Sequence, residues 1–195
     1  MKARQALAIV LLALGYAAFD FAFSGSSGAR TGSGTRSVQR LLGPAAELLA
    51  DVQWIRFTRA LIRGEHDRAL FHADSALALD PQATEGWDQL ATHLATFHGS
   101  PERETDPRRR EAWFLAGIEV THRGAAFASD PGRLALCRGL LYVNRLQIDP
   151  DTFPESRNAL CDAALEAFEE ARDLGVGGLE DMDELERYLA EQRRP

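Results

Sequence analysis

Five histidines, two cysteines and several spaced carboxylates are the side chains of this 195-residue chain that could carry catalytic or metal-binding chemistry. The histidines are His66, His72, His93, His98 and His122. A helix presents two imidazoles to one metal ion when they stand four residues apart, because that spacing stacks them on one face. None of the five forms such a pair, and the chain has no HExxH, CxxC or Cys/His cluster of the kind that holds zinc. The spacing therefore predicts no metal site, with the histidines at the surface or satisfied internally. Cys137 and Cys161 stand in no motif that marks a nucleophile. The glycine-rich GSGT at 32–35 is preceded by linker, whereas a phosphate-cradling loop needs a strand before it. Glu47 with Asp51, and Glu166 with Glu170, are carboxylates at i, i+4 on helix faces. General acid–base work needs a water-poor hollow around such a pair, so solvated helix surface is the expectation. No catalytic residue, metal or cofactor is assigned.

Composition narrows the classes further. Hydrophobic residues make up 45% and charged residues 26%, the balance of a globular protein rather than of a disordered or polytopic membrane chain. The formal charge is −7, from 29 acidic and 22 basic side chains. Lys2, Arg4, Arg30 and Arg36 face only Asp20 in the first 36 residues, so the remainder is more acidic than the whole. An acidic body of this kind excludes nucleic acid as a partner, because phosphate neutralisation supplies most of that affinity.

The first 23 residues read as a membrane element. Lys2 and Arg4 precede an uncharged run from Ala6 to Phe19, and the apolar stretch continues to Phe23. Those eighteen residues make a helix of ~27 Å, enough to cross a ~30 Å hydrocarbon core. An uncleaved single-pass anchor is the first reading, with Asp20 near the far interface; a cleaved secretory signal ending near Ala22-Phe23-Ser24 is the other. The short leading tail favours export of the carboxy-terminal body, which places it on the exported or periplasmic face. Ala13, Gly15, Ala17 and Ala18 would give such a helix a small-residue face for packing against another membrane helix. Residues 24–37, SGSSGARTGSGTRS, are a flexible tether with a reach of about 20 Å.

From residue 38 onward strand signals are absent, and apolar residues recur at helical spacing. Leu48, Val52, Ile55 and Ala60 form one expected buried stripe; Leu70, Ala73 and Leu77 form the next after a break at Gly64. Trp87, Leu90, Leu94 and Phe97 follow, then Trp113, Leu115, Ile118 and Phe127, then Leu136, Leu140 and Val143. Leu160, Ala164, Leu165, Phe168 and Ala171 make the last long stripe, and Leu179, Met182, Leu185 and Leu189 a terminal one suited to capping a stack, with partner docking as its alternative role. Asp-Pro recurs at 80–81, 106–107, 130–131 and 149–150, and three of the four are expected to open another helix, where proline suits a first turn. If the segments around Cys137 and Cys161 pack antiparallel, the two thiols sit at different levels and are expected to be buried and unbonded.

Residues 64–81, GEHDRALFHADSALALDP, resemble the second helix of a tetratricopeptide repeat (TPR). Gly64 falls at the inter-helix turn, Ala69 and Ala76 at the small-residue positions, Leu70 and Leu77 beside them, and Pro81 at the closing proline. Residues 84–97, TEGWDQLATHLATF, resemble the first helix of the following repeat through Trp87, Leu90 and Ala91, with Leu94 replacing the usual Tyr. Ala164, Leu165, Phe168 and Ala171 match a second helix again. The resemblance covers most of 45–175 and departs from the pattern at 98–111, HGSPERETDPRRRE, a polar insertion. It implies an all-α fold: a TPR-like solenoid of about three degenerate hairpins, occupying 38–195, with a C-terminal capping helix.

The same resemblance implies where partners dock. First helices of such a stack line its concave face, which would carry Asp51, Trp54, Thr58 and Leu61 from one helix and Glu85, Asp88, Thr92 and Thr96 from the next. Trp54 is the candidate aromatic anchor, with simple core packing as its competing role. The acidic members favour a basic partner segment, and the insertion's Arg103, Arg108, Arg109 and Arg110 would be solvated or meet an acidic partner. The expected activity is therefore interaction rather than catalysis, with other proteins of a membrane complex as partners. An accessory subunit packing through its transmembrane helix, and an exported enzyme or ligand binder, are the alternatives.

Overall fold

A computed structural model of the chain describes residues 42–43, 45–149, 157–176 and 180–193. The chain divides into Met1–Gly43 and Pro44–Pro195, and all but two of the described residues belong to the second unit. The membrane-helix positions Ala13, Gly15, Ala17 and Ala18, and the 24–37 linker, lie outside the described residues. Among the described residues no helix is long and apolar enough to cross a membrane.

Within those bounds the protein is all-helical, as its periodicity requires. In order come α1 (Ala45–Ile62), α2 (His66–Leu79), α3 (Thr84–Thr92), a π-helical turn (His93–His98) that continues α3, α4 (Pro107–Ala125), α5 (Pro131–Ile148), α6 (Arg157–Asp173) and α7 (Glu180–Gln192). Helices α1 and α2 pack along each other, as do α5 and α6, while α4 packs on α3, the π turn and α5.

Local chemistry explains the breaks. Gly64 adopts φ +71° between α1 and α2, and Glu65 N–H donates to the Ala60 carbonyl at 2.9 Å. Gly175 adopts φ +89° after α6, where Val176 N–H donates to the Ala171 carbonyl at 3.0 Å. Both are closures in which a left-handed residue satisfies otherwise orphaned carbonyls, and glycine takes that conformation without a Cβ penalty. Two of the four Asp-Pro pairs open helices, one fewer than expected. The Asp106 carboxylate accepts from Arg108 N–H at 3.0 Å and the Asp130 carboxylate from Arg133 N–H at 2.9 Å, each followed by proline in the first turn. Asp80 and Asp149 instead close α2 and α5.

Two apolar clusters hold the helices. Phe57, Leu77, Trp87, Leu90, Leu94, Phe114, Ile118, Leu134 and Leu141 belong to the first; Val143, Leu146, Cys161, Phe168, Met182 and Leu189 to the second. Each large side chain so buried contributes roughly 1.5–3 kcal/mol relative to exposure. Helix α7 lays Met182 and Leu189 onto α6, as a terminal cap would. The cysteines are both buried and unbonded, Cys137 in the first cluster and Cys161 in the second.

Part of the predicted core is turned outward. Leu48 is 68% exposed, Val52 41% and Ile55 53%, whereas α1 buries Ala46, Ala50, Gln53, Phe57 and Ala60. Helix α1 carries two apolar faces, and the one with small residues wins because alanines let α2 approach closely along its length. Leu115 and Leu140 are likewise exposed, their helices packing through Phe114, Gly117 and Ile118 on α4 and through Leu134, Gly139 and Leu141 on α5.

Candidate functional site

The partner-binding residues expected from the repeat pattern fall into two groups. Glu85, Asp88, Thr92 and Thr96 come together along α3 and the π turn, where they line an open groove of about 520 Å³ with Gln89, His93 and Phe97. Arg133 of α5 answers the acidic members: one of its nitrogens donates to Glu85 at 2.9 Å and another lies 3.6 Å from Asp88. The groove is therefore less acidic than its own residues suggest, which weakens the expectation of a basic partner segment. Thr96 turns its hydroxyl back to the Thr92 carbonyl at 2.7 Å.

Trp54, Thr58 and Leu61 do not join that groove. Trp54 is half-buried, edge-on to Phe57 at 5.4 Å, and its ring fills the place a Cβ on Gly86 would need. It also lines a smaller hollow of about 210 Å³ with Asp51 and Glu85, so packing and partial exposure coexist in one side chain. Thr58 is exposed and donates to the Trp54 carbonyl at 3.1 Å, while Leu61 packs against the first cluster.

The insertion at 98–111 is built into the fold. Arg110 is buried, donates to Asp149 at 2.9 Å, and bonds the carbonyls of Glu104 and Thr105 at 3.1 Å each. Arg145 reaches the Gly99 carbonyl at 3.3 Å and Asp149 at 3.6 Å. These bonds tie the chain leaving the π turn to α5, so Arg110 is neither a solvated nor a partner-seeking charge.

The π turn creates a constellation that residue spacing alone conceals. His93 and His98 are five residues apart, which in an α-helix separates side chains by about 140° around the axis. The Gly99 N–H donates instead to the Leu94 carbonyl at 3.1 Å, a five-residue step that widens the turn. The two imidazoles then meet at 4.9 Å between ring centres, and His66 from the start of α2 stands 5.1 Å from His98. One ring nitrogen from each of the three lies within 4.8 Å of the others. Glycine makes room on the other side: a Cβ at Gly117 of α4 would meet the Ala91 carbonyl oxygen at 2.7 Å and the Ala95 Cβ at 2.8 Å.

The cluster is walled by rings. Trp113 stacks on His98 at 4.7 Å, Phe97 on His93 at 4.8 Å, and Phe57 meets His93 edge-on at 5.7 Å. Arg103 lies over the Phe97 ring at 4.1 Å, with one nitrogen 3.5 Å from His66 Nε2. Burial, then the positive charges of His98, His66 and Arg103, hold His93 down to about 4. Burial likewise lowers His98, followed by His66 and Arg103, with Asp67 acting in the opposite direction. Both shifts favour the neutral imidazole, the form with an open lone pair. Sequence reasoning missed this site because it tested the α-helical step; HLATFH followed by glycine was the signal available.

No family model matches the chain, and no curated protein or solved structure matches it either.

Proposed function

We propose that the protein is a membrane-tethered, TPR-like scaffold that holds together a larger membrane or envelope complex through protein–protein contacts, its helical body on the exported face. The observation that carries this reading is the outer face of α1. Leu48, Val52 and Ile55 succeed one another at helical spacing, Ile62 continues the line at 80% exposure, and Arg59 is its one interruption. Large apolar side chains lined up in water at this density mark a surface that another chain covers. The partner that fits is a helix or groove offering an apolar face of the same period. Helix α1 begins just after the flexible tether, so the covered surface is the part of the body nearest the predicted anchor in sequence. The order of paired helices followed by α7 supports the repeat reading.

The test uses native membranes. A photo-crosslinker at Val52 or Ile55 is expected to give a discrete adduct with another membrane-complex protein, and one at the exposed Glu169 of α6 is not. Adducts at neither α1 position, with the detergent-solubilised protein migrating alone, would end the scaffold reading. Gly15→Leu separates the tether from the accessory-subunit alternative: a passive anchor keeps the adducts, whereas a packing helix loses the complex.

A further inference from the structure

We propose that His66, His93 and His98 form a binding site for a divalent transition-metal ion of the imidazole-preferring kind, zinc first among them. Three independent features converge on it. One ring nitrogen of each histidine lies within 4.8 Å of the others, although they come from two separate helical elements. Nδ1 of His66, Nε2 of His93 and Nε2 of His98 are buried and make no hydrogen bond. Buried polar atoms are almost always paired, so three orphans in one cluster ask for a common partner. Finally, His93 and His98 are brought together by a π turn, a costly local geometry that is enriched at functional sites.

The geometry suits a small cation. Tetrahedral bonds of ~2.0–2.1 Å place ligand nitrogens roughly 3.3–3.4 Å apart, so the cluster closes by at most about 1.5 Å. Imidazole χ2 torsions are broad enough to supply that movement without breaking the backbone. Trp113 and Phe97 stack on the rings and limit the directions in which they can turn. Three protein ligands leave a fourth position for water or a further ligand. Arg103 is the opposing feature: its guanidinium stands 3.5 Å from His66 Nε2 and repels a cation. A metal on His66 Nδ1 requires a proton on Nε2, which faces the same guanidinium, so binding must move Arg103 outward. It sits in the loop between the π turn and α4, on the exposed side, where such movement breaks no buried bond.

The experiment uses the full chain in detergent, purified through a tag that contains no histidine, and titrated with cobalt(II) and then zinc(II). One equivalent of cobalt is expected to give the intense visible bands of a four-coordinate site, and zinc to displace it. His93→Gln and His98→Gln should each weaken binding by at least about tenfold, and His122→Gln should not. Arg103→Gln should tighten it, a direction that adventitious surface binding does not share. One equivalent of zinc should also raise the melting temperature of the parent and not of the His66→Gln variant. That variant changes a residue at the start of α2 and guards against a folding defect in the π-turn substitutions. Equal affinity in the parent and in His66→Gln, His93→Gln and His98→Gln, or six-coordinate cobalt spectra in all of them, would overturn the proposal.

Discussion

Two regions of this small helical body take polar side chains out of water and treat them in opposite ways. Around α5, three arginines are buried and each finds partners. Arg110 and Arg145 share Asp149 and reach backbone carbonyls, and Arg138 pairs with Glu170 of α6. Around the π turn, three histidines gather inside an aromatic wall, and three of their nitrogens bond to nothing. The first region is a set of charges tied to Asp149, Glu170 and backbone carbonyls, and it holds loops and helices together. The second gathers three imidazoles, one ring nitrogen of each within 4.8 Å of the others. Burial of polar groups therefore does not mark a site by itself; three unbonded nitrogens gathered in one cluster do, because structure alone gives no return for them.

That contrast can be broken most forcefully at Asp149. Asp149→Ala removes the carboxylate that Arg110 and Arg145 share, and should destabilise the fold by about 3–5 kcal/mol in chemical denaturation. A loss below about 1 kcal/mol would show that the arginine set is ornamental. Next comes Gly139→Ala, which drives a Cβ into the Phe168 ring where α5 and α6 touch and should cost about 1–3 kcal/mol. Its effect should appear in thermal melts of the parent and of any metal-free variant alike, because the contact with Phe168 involves none of the three histidines.

The histidine region predicts the opposite sign. His93→Phe removes an unpaired buried nitrogen and retains an aromatic ring against Phe57 and Phe97. In metal-free solution it should leave stability unchanged or raise it by about 1 kcal/mol, since the desolvation penalty of the orphaned nitrogen disappears. A destabilisation of several kcal/mol would mean that His93 is a structural group with a partner. At the small end, burial, followed by the nearby Asp88 carboxylate, pushes the Cys137 thiol up to about 12. Its reactive thiolate is thus scarce at pH 8, and alkylation should be slow in the folded chain and rapid in denaturant. Ile55→Ser on the exposed face of α1 should shift stability by no more than about 0.5 kcal/mol while abolishing crosslinks through that face.

Much of the fold was legible from particular residues. Gly64 announced the first hairpin turn, Asp106-Pro107 and Asp130-Pro131 announced helix starts, and Met182 with Leu189 announced a terminal amphipathic helix. These are local signals: a left-handed conformation, a capping carboxylate and a helical period are each decided within a few residues. Choosing between two apolar faces of α1 was not local. Leu48, Val52 and Ile55 are more hydrophobic than Ala46 and Ala50, yet the alanines are buried, because the approach of α2 rewards small side chains over large ones.

The repeat resemblance put Glu85, Asp88, Thr92 and Thr96 on one face together with Asp51, Trp54, Thr58 and Leu61; the first four line one groove and the others do not join it. The neutralisation of Glu85 and Asp88 by Arg133 was not legible, because it depends on how α5 crosses α3.

The amino-acid sequence alone determined an all-helical body and many of the places where its helices begin and turn. Tertiary structure alone decided which faces meet, which arginines become internal, and that two histidines five residues apart share a face with a third from another helix. The physical reason is range. Caps, turns and periodicity are energies of neighbouring residues, whereas burial, charge pairing and a widened helical turn are set by what the rest of the chain presses against them.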